Sequence, residues 1–590
     1  MKKITKTIAM AAIVAAAAGM TSCSDFLDKQ PSNELTQEKV LADWTMFEQF
    51  HYDTYNFLRH GANRIGSSWL DAATDLAETS VSNSGARTSF NLGNYYAGGG
   101  NSEFIDTWES RYRAIRKCNF VVLNANKVPK NPRNTDEDHA IFVKQLVAEA
   151  RFFRAYFYWE MFLRFGPLPI IEEMLDPAED MITPYTKRPS TKEYVVDFIL
   201  KELEECESDL LDYATAFTND RAGRISQPAA RALASRIKLY MASPRYASES
   251  GITWQDAADA AKSFMNDYGQ NFGLFSQENA SPVDNYGNAV LMTTYSGNNN
   301  ETIFFRNDAN INWSGISYDT PVGEGGSGGN CPSQNLVDMY DMIDGSAPFT
   351  AYDETGAPVY NGMTPSVNMA SGYSEQNMWA NRDPRLTATV LHQNSEWGYY
   401  KDLIDVRPGA ADNPVGNPNA TPTGYYMRKY IPATILSSNH GGTAPRLWTI
   451  IRYAEILLNY AEAMNEVNGP CSDVYNMLDQ VRHRGGITGN VADRTDLLTK
   501  EAMRNFIRKE RTVEFAFEEH RSWDVRRWNV AEKALSRPIY GVSVTGTGVN
   551  NYSVSRKVAQ ERVFDSKMYL YPVPETEMWK IPGFENNPGW

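Results

Sequence analysis

The stretch from Glu501 to Trp528, EAMRNFIRKERTVEFAFEEHRSWDVRRW, constrains the fold most, because it sets charged residues into an apolar stripe. Met503, Phe506, Ile507, Val513 and Phe517 follow the period of a helix with one buried face, and predict one long helix across the stretch. Glu510 falls on that stripe. Taking an unpaired carboxylate out of water is costly, so it needs a cation within reach. Arg508, Arg511, Arg521, Arg526 and Arg527 are the local candidates. Glu518 with Arg521, and Asp524 with Arg527, are also spaced for pairing on a helix surface, worth about 0.2–0.5 kcal/mol each.

A chain of 590 residues exceeds the length at which one core usually stops growing, so two domains or a repeat body with a large insert are expected. The net charge of −15 argues against a phosphate-binding surface and hence against a nucleic-acid partner. Aromatic residues, 12% of the chain with 32 Tyr and 13 Trp, exceed what a core needs, which predicts rings at the surface able to stack on apolar ligand faces.

Residues 1–22 read as a targeting segment: Lys2, Lys3 and Lys6 precede an apolar run, Ile8 to Met20, too short to span a bilayer well. Met20-Thr21-Ser22-Cys23 resembles a lipobox, which makes Cys23 the expected site of acylation and membrane anchoring. Residues 23–38 then form a polar tether. Cys118 and Cys206 lie in helical patterns and read as small core residues, and no C-x-x-C pair is present.

Helical patterns recur at Ala42–Phe57, Phe104–Lys127 and Ile141–Phe165, the last stopped by Gly166-Pro167. Ser190 or Thr191 caps another, Pro228 opens the next, and Trp254–Tyr268 reads as its partner. Asn271–Leu447 breaks this rhythm, with many Gly, Asn, Pro and Tyr residues and only short strand-like pieces, Thr302–Arg306 and Thr387–His392. A loop-rich block this long inside a helical protein is more often functional than accidental. Helices resume at Ile451–Val467 and Tyr475–Arg484.

Several of these segments carry a family likeness. Glu510, Arg511, Glu514, Phe515, Glu518, Arg521, Asp524, Arg527 and Trp528 resemble the C-terminal signature of the SusD/RagB outer-membrane nutrient-binding lipoproteins. The aromatic helix closing on Gly166-Pro167, Asn381-Arg382-Asp383-Pro384-Arg385-Leu386, the run RYAEILLNYAEA and the proline-rich tail to Trp590 are similar to further hallmarks of that family. The resemblance implies a mainly α fold, a tetratricopeptide-like helical repeat body with a loop-rich insert containing short strands. It also implies a surface-exposed, lipid-anchored outer-membrane protein that binds oligosaccharide and works with a SusC-like TonB-dependent transporter. The expected parts are residues 39–270 and 448–590 for the helical body and 271–447 for the insert.

No chemistry of another kind is legible. The seven histidines are scattered without H-E-x-x-H, and no G-x-S-x-G elbow or phosphate loop appears, so neither a metal ligand set, a cofactor nor catalytic residues are read. A sugar site needs rings to stack on and amides nearby. Two loops have that composition, with Tyr95, Tyr96 and Asn101 in one and Asn310, Trp313 and Tyr318 in the other. The resemblance implies that ligand-contacting rings come from loops at comparable places. The alternatives at this stage are a secreted carbohydrate-active enzyme and a peptide-binding member of the same lipoprotein group.

Overall fold

The computed structural model describes residues 36–59, 61, 65, 68–82, 84–99, 102–176, 178–218, 221–291, 299–307, 311–398, 401–432, 443–444 and 447–590. The expected signal segment, tether and acylated Cys23 lie outside these, as do Asn101 and Asn310.

Most of the frame is helical, and side chains fix the helix starts. Asp43 accepts a bond from Met46 N at 2.9 Å and opens α1, Trp44–Tyr52. After α2, Ser102–Asn124, the reciprocal bonds between Thr135 and Asp138 open α3, Asp136–Phe165, a turn before the periodicity suggests; Gly166 at φ +68° closes it. A π-type segment, Lys192–Leu200, runs into α4, Lys201–Glu207. Ser226 caps α5, Gln227–Ala242, and Thr253 caps α6, Trp254–Tyr268. Then come α7, Tyr453–Asn468, α8, Ser472–Arg484, α9, Lys500–Glu514, and α10, His520–Arg527. Neighbouring helices pack in pairs, α2 on α3, α5 on α6, α6 on α7 and α7 on α8, so each buries its apolar stripe against the next.

The longer strands are Ala77–Thr79 (β1), Thr302–Asn307 (β2), Asn330–Pro332 (β3), Leu447–Arg452 (β4), Ile539–Gly548 (β5) and Asn551–Gln560 (β6). β1 pairs with β3, β2 with β4 and β5 with β6, all antiparallel. Two cores result. The larger belongs to the helices and includes Phe153, Phe157, Leu233, Ile456 and Phe506, with Cys118 and Cys206 among its small residues. The second belongs to the insert, where Tyr340, Leu391, Tyr425 and Tyr426 meet Trp69 and Leu76 from the early chain and Val513 and Phe517 from the late chain.

Two sequence expectations change. The stretch 501–528 is two helices, not one, because the backbone breaks at Phe515–Glu519, where Phe517 (φ +62°) and Glu519 (φ +68°) are left-handed. Such residues cost about 1–3 kcal/mol each, and here Asp71 holds them by accepting Phe517 N at 3.1 Å and Glu519 N at 3.3 Å. Burial, with Glu519 beside it, pushes the Asp71 carboxyl up to about 7. The strand expected over Thr387–His392 begins as the end of the helix Pro384–Thr389, since Asp383 caps it and Pro384 fits its first turn, and only Val390–Leu391 is a strand. The β5–β6 hairpin replaces a segment that sequence periodicity left unassigned.

The partners of the buried charges also differ. Glu510 meets Arg385 at 2.6 Å and Arg482 at 2.9 Å, neither of them a local candidate. Glu514 accepts from Arg385 and Arg452, and Glu518 from Lys429 and Arg452, all within 2.6–2.8 Å. Asp524 does pair with Arg527 at 2.7 Å, whereas Arg521 turns to Asp75 at 2.7 Å and not to Glu518. Across this seam the cations Arg385, Lys429, Arg452, Arg482, Arg484 and Lys509 share the carboxylates Glu301, Asp341, Asp383, Glu510, Glu514 and Glu518, most of them with more than one partner. Burial alone would raise the Glu514 carboxyl, but Arg484, Arg452 and Arg385 outweigh it and hold it well below the usual range. The charged signature therefore joins the helical frame to the insert.

Candidate functional site

The first loop begins at Asn91, which is buried and fixed on both sides of its amide. Its Nδ2 donates to the Ala72 carbonyl at 3.0 Å and to Glu78 at 3.2 Å, and its Oδ1 accepts from Arg562. Burial pushes the Glu78 carboxyl up, although Arg562 beside it acts the other way. Past Gly93 at φ +64° the two tyrosines part. Tyr95 is 5% exposed and packs among Phe90, Phe104 and Trp590 with ring centres 4.9–5.3 Å apart, so it anchors the loop and presents no open face. Tyr96 is 62% exposed. A tight turn, Gly99 N to Tyr96 O at 3.0 Å, lies under its ring, and a Cβ at Gly99 would come within 3.3 Å of that ring. The turn is tied to the C-terminal tail by Glu575 N donating to Ala97 O at 3.0 Å.

The second loop follows β2. Trp313–Ile316 forms a single helical turn, in which Trp313 is half-buried against the insert core. Tyr318 is also half-buried, with its hydroxyl 3.4 Å from both Ser68 Oγ and Thr79 Oγ1. Asp319 clamps the segment by accepting Trp69 Nε1 at 3.1 Å, Asn330 N at 3.0 Å and Asn330 Nδ2 at 2.6 Å. Gly329 at φ +46° passes so close to Tyr318 and Asp319 that a Cβ there would lie 2.7 Å from the Asp319 Cα.

Both loops thus hang on β1, with Glu78 reaching Asn91 and Thr79 reaching Tyr318. On these braced loops Tyr96 is exposed, Trp313 and Tyr318 are half-buried, and Tyr95 is withdrawn into the core. Trp69 and Trp397 are buried. Ser68, Thr79 and Asp319, which set these loops, were not legible from spacing, since Thr79 and Tyr318 are 239 positions apart. Among the described residues no group of His, Cys, Asp and Glu has the geometry of a metal site, and no helix is long and apolar enough to cross a membrane.

Comparisons with known proteins agree with this architecture. The sequence pattern of the SusD family matches residues 274–590, and a second pattern, described as starch-binding associating with outer membrane, matches residues 25–239. The SusD-like protein P2 of Formosa agariphila is 25% identical over 518 residues, covering 86% of this chain and 84% of that protein. SusD-like protein P25 of the same organism is 21% identical over 90% of this chain and 92% of its own length. Among solved structures, a SusD-like protein from Bacteroides fragilis superposes with a TM-score of 0.73 at 24% identity, covering 95% of this chain and all of that one. A SusD-like carbohydrate-binding protein from the same species gives 0.70 at 22% identity, over 92% of this chain and all of that one. With one family pattern spanning more than half of its residues and the paired-helix frame shared along nearly its whole length, the chain belongs to the SusD/RagB family.

Proposed function

We propose that this protein is a lipid-anchored outer-membrane receptor that captures oligosaccharide at the loops carrying Tyr96, Trp313 and Tyr318 and hands it to a SusC-like TonB-dependent transporter. The observation that carries the reading is the posture of Tyr96, a ring 62% exposed on a loop whose base is locked by Asn91 and Tyr95. An exposed ring on a fixed support suits the apolar face of a sugar, because little freedom is lost when it stacks. Asn101 and Asn310 are proposed to supply amides at the same site. The carbohydrate-binding description of a structural relative, and the starch-binding description of the pattern matched by the N-terminal half, point the same way. Binding of this kind needs no catalytic group, so the protein is read as a non-enzymatic carrier.

Calorimetric titration with the strongest glycan found on an array tests the site. Tyr96→Ala and Trp313→Ala should each weaken binding by about three- to tenfold, the worth of one stacked ring. Wild-type affinity in both variants would remove these loops from the site, and release of reducing sugar by the purified protein would remove the non-enzymatic reading.

A further inference from the structure

Among the described residues only two aromatic rings are exposed, Tyr96 at 62% and Trp579 at 71%; every other ring is at least partly covered. A lone exposed ring needs no explanation, but these two are neighbours. Trp579 stands on the short helix Glu575–Lys580 in the proline-rich tail. Glu575 N, at the head of that helix, donates to Ala97 O in the turn under Tyr96 at 3.0 Å. The Glu575 carboxylate lies against the same turn: a Cβ at Gly98 would stand 2.5 Å from Glu575 Oε2 and 3.4 Å from Tyr96 Cε2. Trp579 follows Glu575 by four residues, one helical turn, and therefore shares its face of the helix. Tyr96, Glu575 and Trp579 thus lie along one strip of surface.

The support beneath the strip is fixed. Met578 and Ile581, on the other side of the short helix, pack on the helical core, and the Arg188 guanidinium sits 4.8 Å from the centre of the Phe584 ring. Asn586 closes the base of the tail loop by accepting Val573 N at 2.8 Å and donating to Val573 O at 3.2 Å. Glu577 is matched by Lys580 at 2.6 Å, whereas among the described residues no cation pairs with Glu575, which is exposed. A carboxylate only accepts hydrogen bonds, so it suits a ligand rich in hydroxyl donors and repels one that carries negative charge. The core of a protein interface is depleted of such charges, and a carboxylate set between two rings therefore favours a polyhydroxylated ligand over a protein partner.

We propose that Trp579 is a second stacking platform of the Tyr96 site, so that the first loop and the tail hold different residues of one neutral oligosaccharide whose hydroxyls donate to Glu575 between them. The inference rests on the glycan-binding reading of the Tyr96 loop. It adds a further ligand contact, a ligand of at least two sugar residues, and selection against acidic sugars.

The test is titration calorimetry on the full mature chain with four linear hexasaccharides: those of maltose, xylose and mannose type, which are neutral, and that of galacturonic acid. At least one neutral probe should bind, and Trp579→Ala should weaken it by about three- to tenfold, the worth of one stacked ring, with an unchanged melting temperature. Trp579→Phe should restore part of the affinity. The galacturonic acid probe should bind wild type more weakly than the best neutral probe, and Glu575→Gln should tighten it by about threefold or more at low salt. A neutral probe that binds Trp579→Ala as tightly as wild type overturns the proposal, and so does a loss of affinity that comes with a lower melting temperature. In either case the loop site stands if Tyr96→Ala or Trp313→Ala still weakens binding. Tighter binding of the galacturonic acid probe than of every neutral one overturns the charge selection. If no hexasaccharide binds, the loop site and the tail platform both fail.

Discussion

Replacing Glu514 by Gln is the sharpest probe of how the frame and the insert are joined. In one atom exchange it removes the anion that Arg385 meets at 2.8 Å and Arg452 at 2.6 Å, and that Arg484 also contacts, without changing side-chain size. Removing one partner of a buried ion pair costs about 3–5 kcal/mol, because the remaining charge stays out of water. These arginines have no route to solvent relief, since Arg385 and Arg452 are almost fully buried. For one cooperative unit of 590 residues the unfolding entropy is about 1.2 kcal/mol per kelvin, so the melting temperature should fall by about 2–4 °C. Urea unfolding at neutral pH should show the same loss as a lower midpoint at unchanged slope. Asp197→Asn, which breaks a pair with Lys192 in which both side chains are about half exposed, is the control and should shift melting by less than about 1 °C. A Glu514→Gln protein that melts with the control would mean that the seam relaxes around the missing charge, and the matched network would lose its role.

Other outcomes follow from the loops. Burial, then Asp402 and Asp412, raise the Glu324 carboxyl to about 7 from 4.5. A raised carboxyl stabilises the fold fully below its unfolded value and loses that contribution as pH rises through its folded value, so melting should decline between about pH 5 and pH 8. Glu324→Gln should flatten that decline, and superposable melting profiles for variant and wild type would contradict it. Gly329→Ala puts a side chain onto Tyr318 and Asp319 at a left-handed position, which costs about 1–2 kcal/mol before the overlap is counted. Both thermal stability and glycan affinity should fall, and full affinity with unchanged melting would detach the Trp313 loop from its support.

The helices were legible because a buried stripe repeats with the helix period, and Trp254–Tyr268 was recovered residue for residue. The break at Phe515–Glu519 was not, since neither Gly nor Asn marks it and its stabiliser, Asp71, is 446 positions away. Separation along the chain also hides the cations opposite Glu510, Arg385 at 125 positions and Arg482 at 28, where periodicity offers only its neighbours. The β5–β6 hairpin leaves a trace in the alternation of Tyr540, Val542 and Val544 before Asn550-Asn551. Within the candidate site, loop composition located the right kind of segment but not the facing of its rings. Tyr95 and Tyr96 are adjacent and chemically identical, and only the packing of Phe90, Phe104 and Trp590 decides which one turns inward.

The bond from Arg521 to Asp75 ties positions 446 apart, and it sits just upstream of β1, on which both loops hang. Assembly of the protein is therefore a late event: Asp75 has no Arg521 to meet until the final helices have emerged and docked. Closures across such spans are slow, so during that interval the aromatic loops are displayed on a half-finished body and invite mispairing. An excised N-terminal half would leave Asp75 without the cation it meets in the whole chain.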